Sequence, residues 1–212
     1  MPDETDTIVS IPVDTVELEG ELVVPEGATG IVVFAHGSGS SRHSPRNNAV
    51  ADVVRSAGVA TLLFDLLTEE EDEHRENRFD IPLLTDRLRA VTDWVRNHER
   101  TEGLNVGYFG ASTGAAAALR AAATIDTDID AVVSRGGRVD LAAEALPQVE
   151  TPTLLIIGGD DDTVLERNRD AYDELDCTKE LEIIEGAGHL FEGPGELDEV
   201  ADVATDWFDT TL

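Results

Sequence analysis

The sequence has almost no lysine and almost no cysteine. Lys179 is the single lysine among 15 basic residues, whereas acidic residues number 45, which gives a formal net charge of −30. Because nucleic acids and anionic membrane surfaces are bound by basic patches, this charge argues against both kinds of partner. The single cysteine, Cys177, excludes an internal disulfide and is compatible with a reducing cytosol.

Two kinds of segment are also missing. The N-terminus is acidic and has neither the positive region nor the apolar run of a signal peptide. No stretch approaches the ~20 apolar residues of a membrane span. We therefore expect a cytoplasmic protein. The 212 residues contain no repeat and no linker, so we expect one domain over residues 1–212 with a flexible start at 1–7.

The acidic composition does not indicate disorder. Hydrophobic residues make up 41% of the chain and fall into strand and helix patterns, which a disordered acidic chain lacks. A folded core under a carboxylate-rich surface, with lysine almost absent, resembles proteins of salt-accumulating halophiles. Repulsion among so many carboxylates destabilises the compact state unless counterions screen it.

Strand and helix patterns alternate along the chain. Two segments, 8–13 and 16–24, alternate apolar and polar residues and predict antiparallel strands at a sheet edge. The run 31–35 lacks that alternation and predicts a central strand covered on both faces. Further strands are predicted at 60–64, 106–109, 131–133, 153–157 and 181–184. Helices are predicted at 49–57, 81–95, 164–175 and 197–208, with a further helix after residue 114. The pattern predicts a three-layer α/β fold with a mostly parallel central sheet, antiparallel N-terminal edge strands and helices on both faces.

Residues 66–80 interrupt this alternation. The segment contains the acidic block Glu69-Glu70-Glu71-Asp72-Glu73, which is too charged to belong to a core. It follows the carboxyl end of a predicted strand, so we interpret it as a surface excursion. A solvated loop and a small lid both remain open.

The motif Gly110-Ala111-Ser112-Thr113-Gly114 stands between a predicted buried strand and an alanine-rich helix. That context is typical of a nucleophile elbow, a tight turn that raises a serine hydroxyl above the sheet edge. Gly110 and Gly114 leave the space that a Cβ would fill. The N–H of Thr113 would point at the same place from the helix N-terminus. The alternative is a glycine-rich turn with an idle serine.

Three other predicted strands end in residues with catalytic chemistry. These ends are His36-Gly37-Ser38-Gly39, the run Asp160-Asp161-Asp162 and His189. Together with Ser112 they follow the order oxyanion loop, serine, acid, histidine, which is the order of α/β-hydrolases. Because parallel strands end at one edge of a sheet, we expect these residues to meet there.

The sequence therefore resembles the α/β-hydrolase superfamily and, within it, the dienelactone-hydrolase-like branch, over about residues 15–210. Dienelactone hydrolases carry cysteine at the elbow, whereas this chain has Ser112. The departure favours plain ester chemistry over dienelactone as the substrate. The resemblance also supplies the pattern Gly158-x-x-Asp161-x-x-Val164, which favours Asp161 as the acid of the triad.

The expected roles follow from the chemistry of acyl transfer. His189 accepts the proton of Ser112, and Asp161 orients the imidazole and stabilises its charged form. The N–H groups of Ser38 and Thr113 form the oxyanion hole. Asp160 and Asp162 remain alternatives for the acid.

The helix after the acidic run also has a sequence signal. Thr163 and Glu166 fit a capping box, so the sequence predicts Thr163 as the N-cap of that helix. This placement sets Asp162 beside the helix start and leaves Asp161 at the apex of the loop.

Two further residues are candidates for substrate binding. His36 could act as a second base or bind substrate, although hydrogen bonding to backbone around the oxyanion loop is the alternative that we favour. Arg135 directly follows a strand, where it could bind a substrate carboxylate. Pairing with surface carboxylates is the other interpretation of Arg135 and of Arg138.

Metals and cofactors are not predicted. The sequence has no His-x-x-x-His or Cys-x-x-Cys pattern, and its Gly-rich loop at 36–41 lacks the Gly-Lys-Ser/Thr ending of a phosphate-binding loop. The sequence thus predicts a serine hydrolase that cleaves a small-molecule ester or related acyl compound through an acyl-enzyme. A catalytically silent binding module on the same fold, and a peptidase or thioesterase with the same triad, are the alternatives. The oligomeric state stays open.

Overall fold

The computed structural model describes residues 7–124 and 128–212. The strands are β1 (Thr7–Val13), β2 (Val16–Val23), β3 (Gly30–Ala35), β4 (Ala60–Phe64), β5 (Asn105–Ala111), β6 (Ala131–Arg135), β7 (Thr153–Gly158) and β8 (Lys179–Ile184). The α-helices are α1 (Pro45–Ser56), α2 (Glu69–Asp72), α3 (Ile81–Asn97), α4 (Thr113–Ala122), α5 (Asp162–Glu174) and α6 (Glu196–Thr211). Two 3₁₀ segments, Asn77–Phe79 and Val139–Gln148, complete the described elements.

The strands form one sheet in the order β1-β2-β4-β3-β5-β6-β7-β8. The pairs β1–β2 and β2–β4 are antiparallel, and every pair from β4–β3 to β7–β8 is parallel. The predicted mostly parallel sheet with antiparallel N-terminal edge strands is confirmed. Of the predicted flexible start at 1–7, Thr7 is the first residue of β1, and residues 1–6 lie outside the described residues.

Helices cover both faces of the sheet, as predicted. α1 and α6 pack against each other on one face, where Phe34, Phe109 and Phe208 lie in the apolar core. α3, α4 and α5 cover the opposite face, whose core includes Tyr108. Because the strands from β3 to β8 run in one direction, all their carboxyl ends reach the same edge, where sites form in open α/β sheets. No helix in residues 7–124 or 128–212 is long and apolar enough to cross a membrane.

Two predicted helix starts are wrong. α1 begins at Pro45, earlier than the predicted start at 49, because the Ser44 side chain caps it by accepting the Asn47 N–H. α5 begins at Asp162, so Thr163 is not its N-cap. The carbonyl of Asp161 already accepts the N–H of Leu165 at 2.8 Å, which makes Asp161 the capping position.

The acidic segment 66–80 is more ordered than a solvated loop. α2 lies within it and is closed by a capping box between Thr68 and Glu71. Glu71 also accepts a hydrogen bond at 2.7 Å from the buried Arg87, and its side chain is 23% exposed. Within the acidic block, the Glu71 carboxylate therefore neutralises a buried cation, and the choice between a solvated loop and a small lid stays a prediction.

Candidate active site

Ser112 occupies a strained turn between β5 and α4. Its backbone has φ 51° and ψ −117°, a conformation that costs an L-residue about 1–3 kcal/mol. A Cβ on Gly110 would lie 2.5 Å from the Cα of Ala115, and one on Gly114 would overlap the carbonyl oxygens of Ala35 and His36. Only glycine fits at these two positions, as the elbow motif predicts.

Backbone hydrogen bonds hold the strained turn from the neighbouring strand. The Ser112 N–H donates to the carbonyl of Arg135 at 3.2 Å, and the Ser112 carbonyl accepts from the N–H of Arg138 at 3.0 Å. The loop after β6 therefore fixes the position of the serine.

His189 and Asp161 form a hydrogen-bonded pair. Nδ1 of His189 lies 2.7 Å from Oδ2 of Asp161, and the two side chains are 40% and 15% exposed. Asp160 and Asp162, the alternatives for the acid, are exposed. Only the middle carboxylate of the acidic run thus contacts the imidazole.

Gly136 connects this pair to the serine turn. A Cβ at Gly136 would lie 3.4 Å from ring atoms of His189, so the imidazole packs directly over this residue. The backbone carbonyl of its neighbour Arg135 accepts the hydrogen bond from the Ser112 N–H. The fold therefore brings Ser112 and His189, which lie far apart in sequence, to opposite sides of one short loop.

The Gly-rich loop after β3 approaches the serine from another direction. A Cβ on Gly37 would lie 3.1 Å from Cβ of Ser112. The N–H groups of Ser38 and Thr113 donate to no acceptor within residues 7–124 and 128–212. A small cavity beside them is also lined by Leu67 and Arg78, so the segment 66–80 forms a wall of the site.

His36 is fully engaged by backbone groups. Its Nδ1 lies 3.0 Å from the Gly37 carbonyl, and its Nε2 accepts the Leu66 N–H at 3.0 Å. This pattern requires the neutral tautomer with the proton on Nδ1. Burial lowers the pKa of His36, so the neutral form persists at neutral pH. The prediction of backbone hydrogen bonding is confirmed, and neither ring nitrogen is left for a substrate.

The two arginines after β6 differ. Arg138 forms a bidentate ion pair with Asp140, in agreement with the surface-pairing interpretation. Arg135 is 7% exposed, forms no ion pair within the described residues and has an unpartnered Nε. Its guanidinium carbon lies 5.6 Å from the centre of the Phe191 ring. Burial and the nearby charge of Arg46 lower the pKa of Arg135 to about 10, which leaves it charged at neutral pH.

Sequence reasoning missed three contributors to this edge, namely Arg46, Gly136 and Phe191. Phe191 has φ 53° and is 2% exposed, and no sequence pattern indicates a left-handed conformation at a phenylalanine. The Ser44-Pro45 pair could have indicated a helix start that places Arg46 at the edge.

Comparisons with known proteins agree with this fold. Residues 28–206 match a family model described as "Alpha/beta hydrolase domain". The chain belongs to this family. The crystal structure of dienelactone hydrolase from Anabaena variabilis is similar to this hydrolase-fold chain, with 56% identity, a TM-score of 0.96 and coverage of 99% of both chains.

Two proteins of Mycobacterium tuberculosis, from strains CDC 1551 and H37Rv, are 55% identical to the chain over 207 residues, or 98% of it. They carry the name "Putative phosphoribosyl transferase", and the chain spans 47% of their length. An esterase of Pyrococcus furiosus shares the fold, with a TM-score of 0.82, 17% identity and coverage of 98% of this chain and 92% of that one.

Proposed function

We propose that the chain is one catalytic domain that cleaves a small carboxylic ester through an acyl-enzyme intermediate, with Ser112 as nucleophile. The observation that carries this proposal is the 2.7 Å contact between His189 and Asp161, with the imidazole packed against the loop that fixes Ser112. The similarity to a dienelactone hydrolase supports it, because a lactone is a cyclic ester.

Acylation follows from the orientation of the imidazole. Asp161 accepts a hydrogen bond from the Nδ1–H of His189, so Nε2 carries the lone pair and serves as the base. Nε2 takes the hydroxyl proton while Oγ of Ser112 bonds to the ester carbonyl carbon. The carbonyl π electrons move to oxygen and give a tetrahedral oxyanion. When this intermediate collapses, the C–O bond to the alcohol breaks and His189 returns the proton to the departing oxygen.

Deacylation repeats the sequence with water. His189 takes a proton from water, whose oxygen attacks the acyl carbon, and Ser112 leaves with that proton. In both halves, the N–H groups of Ser38 and Thr113 would hold the oxyanion. A donor at such a position is worth roughly 3 kcal/mol of barrier. Neither N–H group donates to another acceptor among the described residues, which supports this role. No cofactor enters this scheme.

We do not propose phosphoribosyl transfer for this chain. The mycobacterial relatives with that name are about twice as long, and this chain spans 47% of their length. The triad equally suits thioesters and peptides, and ester substrates are proposed because the hydrolase with 56% identity is named for a lactone.

We also propose that the protein works in a salt-rich cytoplasm. The excess of 45 acidic over 15 basic residues supports this setting, because molar salt screens carboxylate repulsion.

The proposal is tested by covalent labelling and turnover in high KCl. A fluorophosphonate probe should label the folded wild type at Ser112, and p-nitrophenyl esters should be hydrolysed. Ser112→Ala should lose labelling and at least about a thousandfold in kcat/KM. Cys177→Ser is the control and should match the wild type. Folded wild-type protein that takes no label would favour the silent binding module instead.

A further inference from the structure

The environment of Arg135 is unusual for this chain. Acidic residues outnumber basic ones three to one, so a carboxylate partner is easily available to any arginine. Two arginines are buried, Arg87 and Arg135. Arg87 has its carboxylate, Glu71, at 2.7 Å. Arg135 has none within residues 7–124 and 128–212, although a buried charge is costly when it is unpaired.

The charge that opposes Arg135 is another cation. Arg46 stands in the first turn of α1, which follows the Gly-rich loop after β3, and its charge adds to burial in lowering the pKa of Arg135. Arg46 also forms no ion pair within the described parts of the chain, and its Nε is buried without a partner. Two guanidiniums that repel each other, neither paired with a carboxylate among the described residues, concentrate positive charge in an otherwise acidic protein. An anion between them would relieve both the repulsion and the unsatisfied donors.

The position of Arg135 is held by strained structure. Phe191 adopts φ 53° while its buried ring lies against the guanidinium. A left-handed phenylalanine persists only where the surroundings hold it. A planar guanidinium on an aromatic face keeps its N–H edge free to bind an oxyanion in a bidentate way. The strained Phe191 and the guanidinium on its ring therefore indicate that the Arg135 side chain is held in a fixed position with its N–H edge available for binding.

This surface adjoins the reacting groups. The Arg135 carbonyl accepts the Ser112 N–H, and Gly136 packs under the His189 ring. Phe191 follows His189 by two residues. Arg46 is only partly buried, so the arginine pair is open to solvent on its side.

We infer that Arg135 and Arg46 bind an anionic oxygen group of the substrate, a carboxylate or a phosphate, beside Ser112. This inference rests on the proposed function, since it names the class of ester that the same site accepts. The substrate would be an ester that carries a negative charge close to its scissile bond. Such a charge is repelled by the acidic surface elsewhere, so the arginine pair would also orient the substrate.

Binding is measured apart from turnover by calorimetry on Ser112→Ala at one fixed KCl concentration. The probes are glutarate, inorganic phosphate and the uncharged glutaramide. Glutarate or phosphate should bind and glutaramide should not, and the tighter of the two anions identifies the group. Arg135→Gln and Arg46→Gln, each in the Ser112→Ala background, should weaken anion binding about tenfold or more. The control is Arg169→Gln, which removes one positive charge from exposed α5 and should bind as the parent does.

Inhibition of the wild type links the site to the reaction. The better anion should inhibit hydrolysis of a neutral p-nitrophenyl ester competitively, and both Gln variants should raise its inhibition constant about tenfold relative to Arg169→Gln. Equal anion binding by Arg135→Gln and its parent, or non-competitive inhibition, would overturn the inference. If neither anion binds while neutral esters are hydrolysed, the inference fails and the proposed function stands. Anion binding without any ester hydrolysis would instead count against the proposed function.

Discussion

The two sides of the carboxyl edge of the sheet differ in whether their buried charged groups have partners. The His36 side comprises the ends of β3 and β4 with residues 66–80, and the His189 side comprises the ends of β5 to β8. On the His36 side, Arg42 pairs with Asp65, Arg87 pairs with Glu71, and His36 binds backbone through both ring nitrogens. On the His189 side, Arg138 pairs with Asp140 and His189 with Asp161, but the buried Arg135 has no carboxylate partner among the described residues.

Other features of the His189 side follow the same pattern. Ser112 and Phe191 have left-handed backbone conformations, and Thr113, which is 1% exposed, has a buried hydroxyl without a described partner. Strained and unsatisfied groups reduce stability and are retained where a ligand or a reaction uses them. Under the proposed function, the His36 side supplies one oxyanion donor and supports the site, whereas the His189 side carries Ser112, Asp161 and His189. Substitutions on the two sides should therefore affect different measurements.

The largest expected effect is on turnover from the His189 side. Asp161→Asn should lower kcat about ten-thousandfold, because the imidazole loses the acceptor that sets its tautomer. Asp160→Asn and Asp162→Asn should stay within about tenfold of the wild type, a difference of ~1.4 kcal/mol in barrier. The measurement is kcat on one ester in the same high-salt buffer, with folding checked by circular dichroism. If kcat falls only in Asp160→Asn or only in Asp162→Asn, the acid of the triad is that residue and not Asp161.

The next effect is on stability and separates the two buried arginines. Arg87→Met leaves the half-buried Glu71 carboxylate without its cation and should lower the free energy of unfolding by about 2–3 kcal/mol. Arg135→Met removes an unpaired buried charge and places a thioether against Phe191, so its stability should be within about 1 kcal/mol of the wild type, or higher. Urea unfolding at fixed KCl gives both values, with Arg169→Met as the surface control. Equal losses for the two substitutions would contradict the distinction between the sides.

A smaller effect is expected from salt, which acts on the acidic surface of both sides. At ~0.01 M salt the Debye length is ~30 Å, and at ~1 M it is ~3 Å, so carboxylate repulsion becomes short-ranged. A gain of about 1 kcal/mol would raise Tm by ~2–4 °C for a chain of this size. Thermal melts in a KCl series measure it. A Tm that is flat or falls as KCl rises would rule out the resemblance to halophile proteins as an explanation of the composition.

The smallest effect concerns pH and the His36 side. Because burial lowers the pKa of His36, the folded state keeps it neutral while the unfolded chain takes up a proton below about pH 6.5. The stabilisation is therefore complete above that pH and is lost as pH falls. His36→Gln retains an acceptor for the Leu66 N–H and does not titrate, so its stability should decline less steeply. Urea midpoints from about pH 7.5 to 5.5 compare the two proteins, and parallel curves would show that His36 does not contribute.

The pattern of apolar runs determined the layers and the mostly parallel sheet, since strands covered on both faces must be apolar throughout. The Gly110-x-Ser112-x-Gly114 spacing likewise determined the elbow, because glycine is needed wherever backbone approaches this closely. Helix starts were less predictable. Thr163 and Glu166 fit a capping box, yet the Asp161 carbonyl begins α5 earlier.

Other properties depended on contacts between distant parts of the chain. The sequence left three carboxylates in a row, and only the folded loop brings Asp161 to His189. It also presented Glu71 as one acid within a charged block and Arg135 as one arginine among fourteen. In the folded chain Glu71 reaches Arg87 of α3 at 2.7 Å, whereas no carboxylate among the described residues reaches Arg135. Local patterns determine elements because their causes lie within a few residues, whereas the pairing of charges is decided by tertiary structure, which brings together groups far apart in sequence.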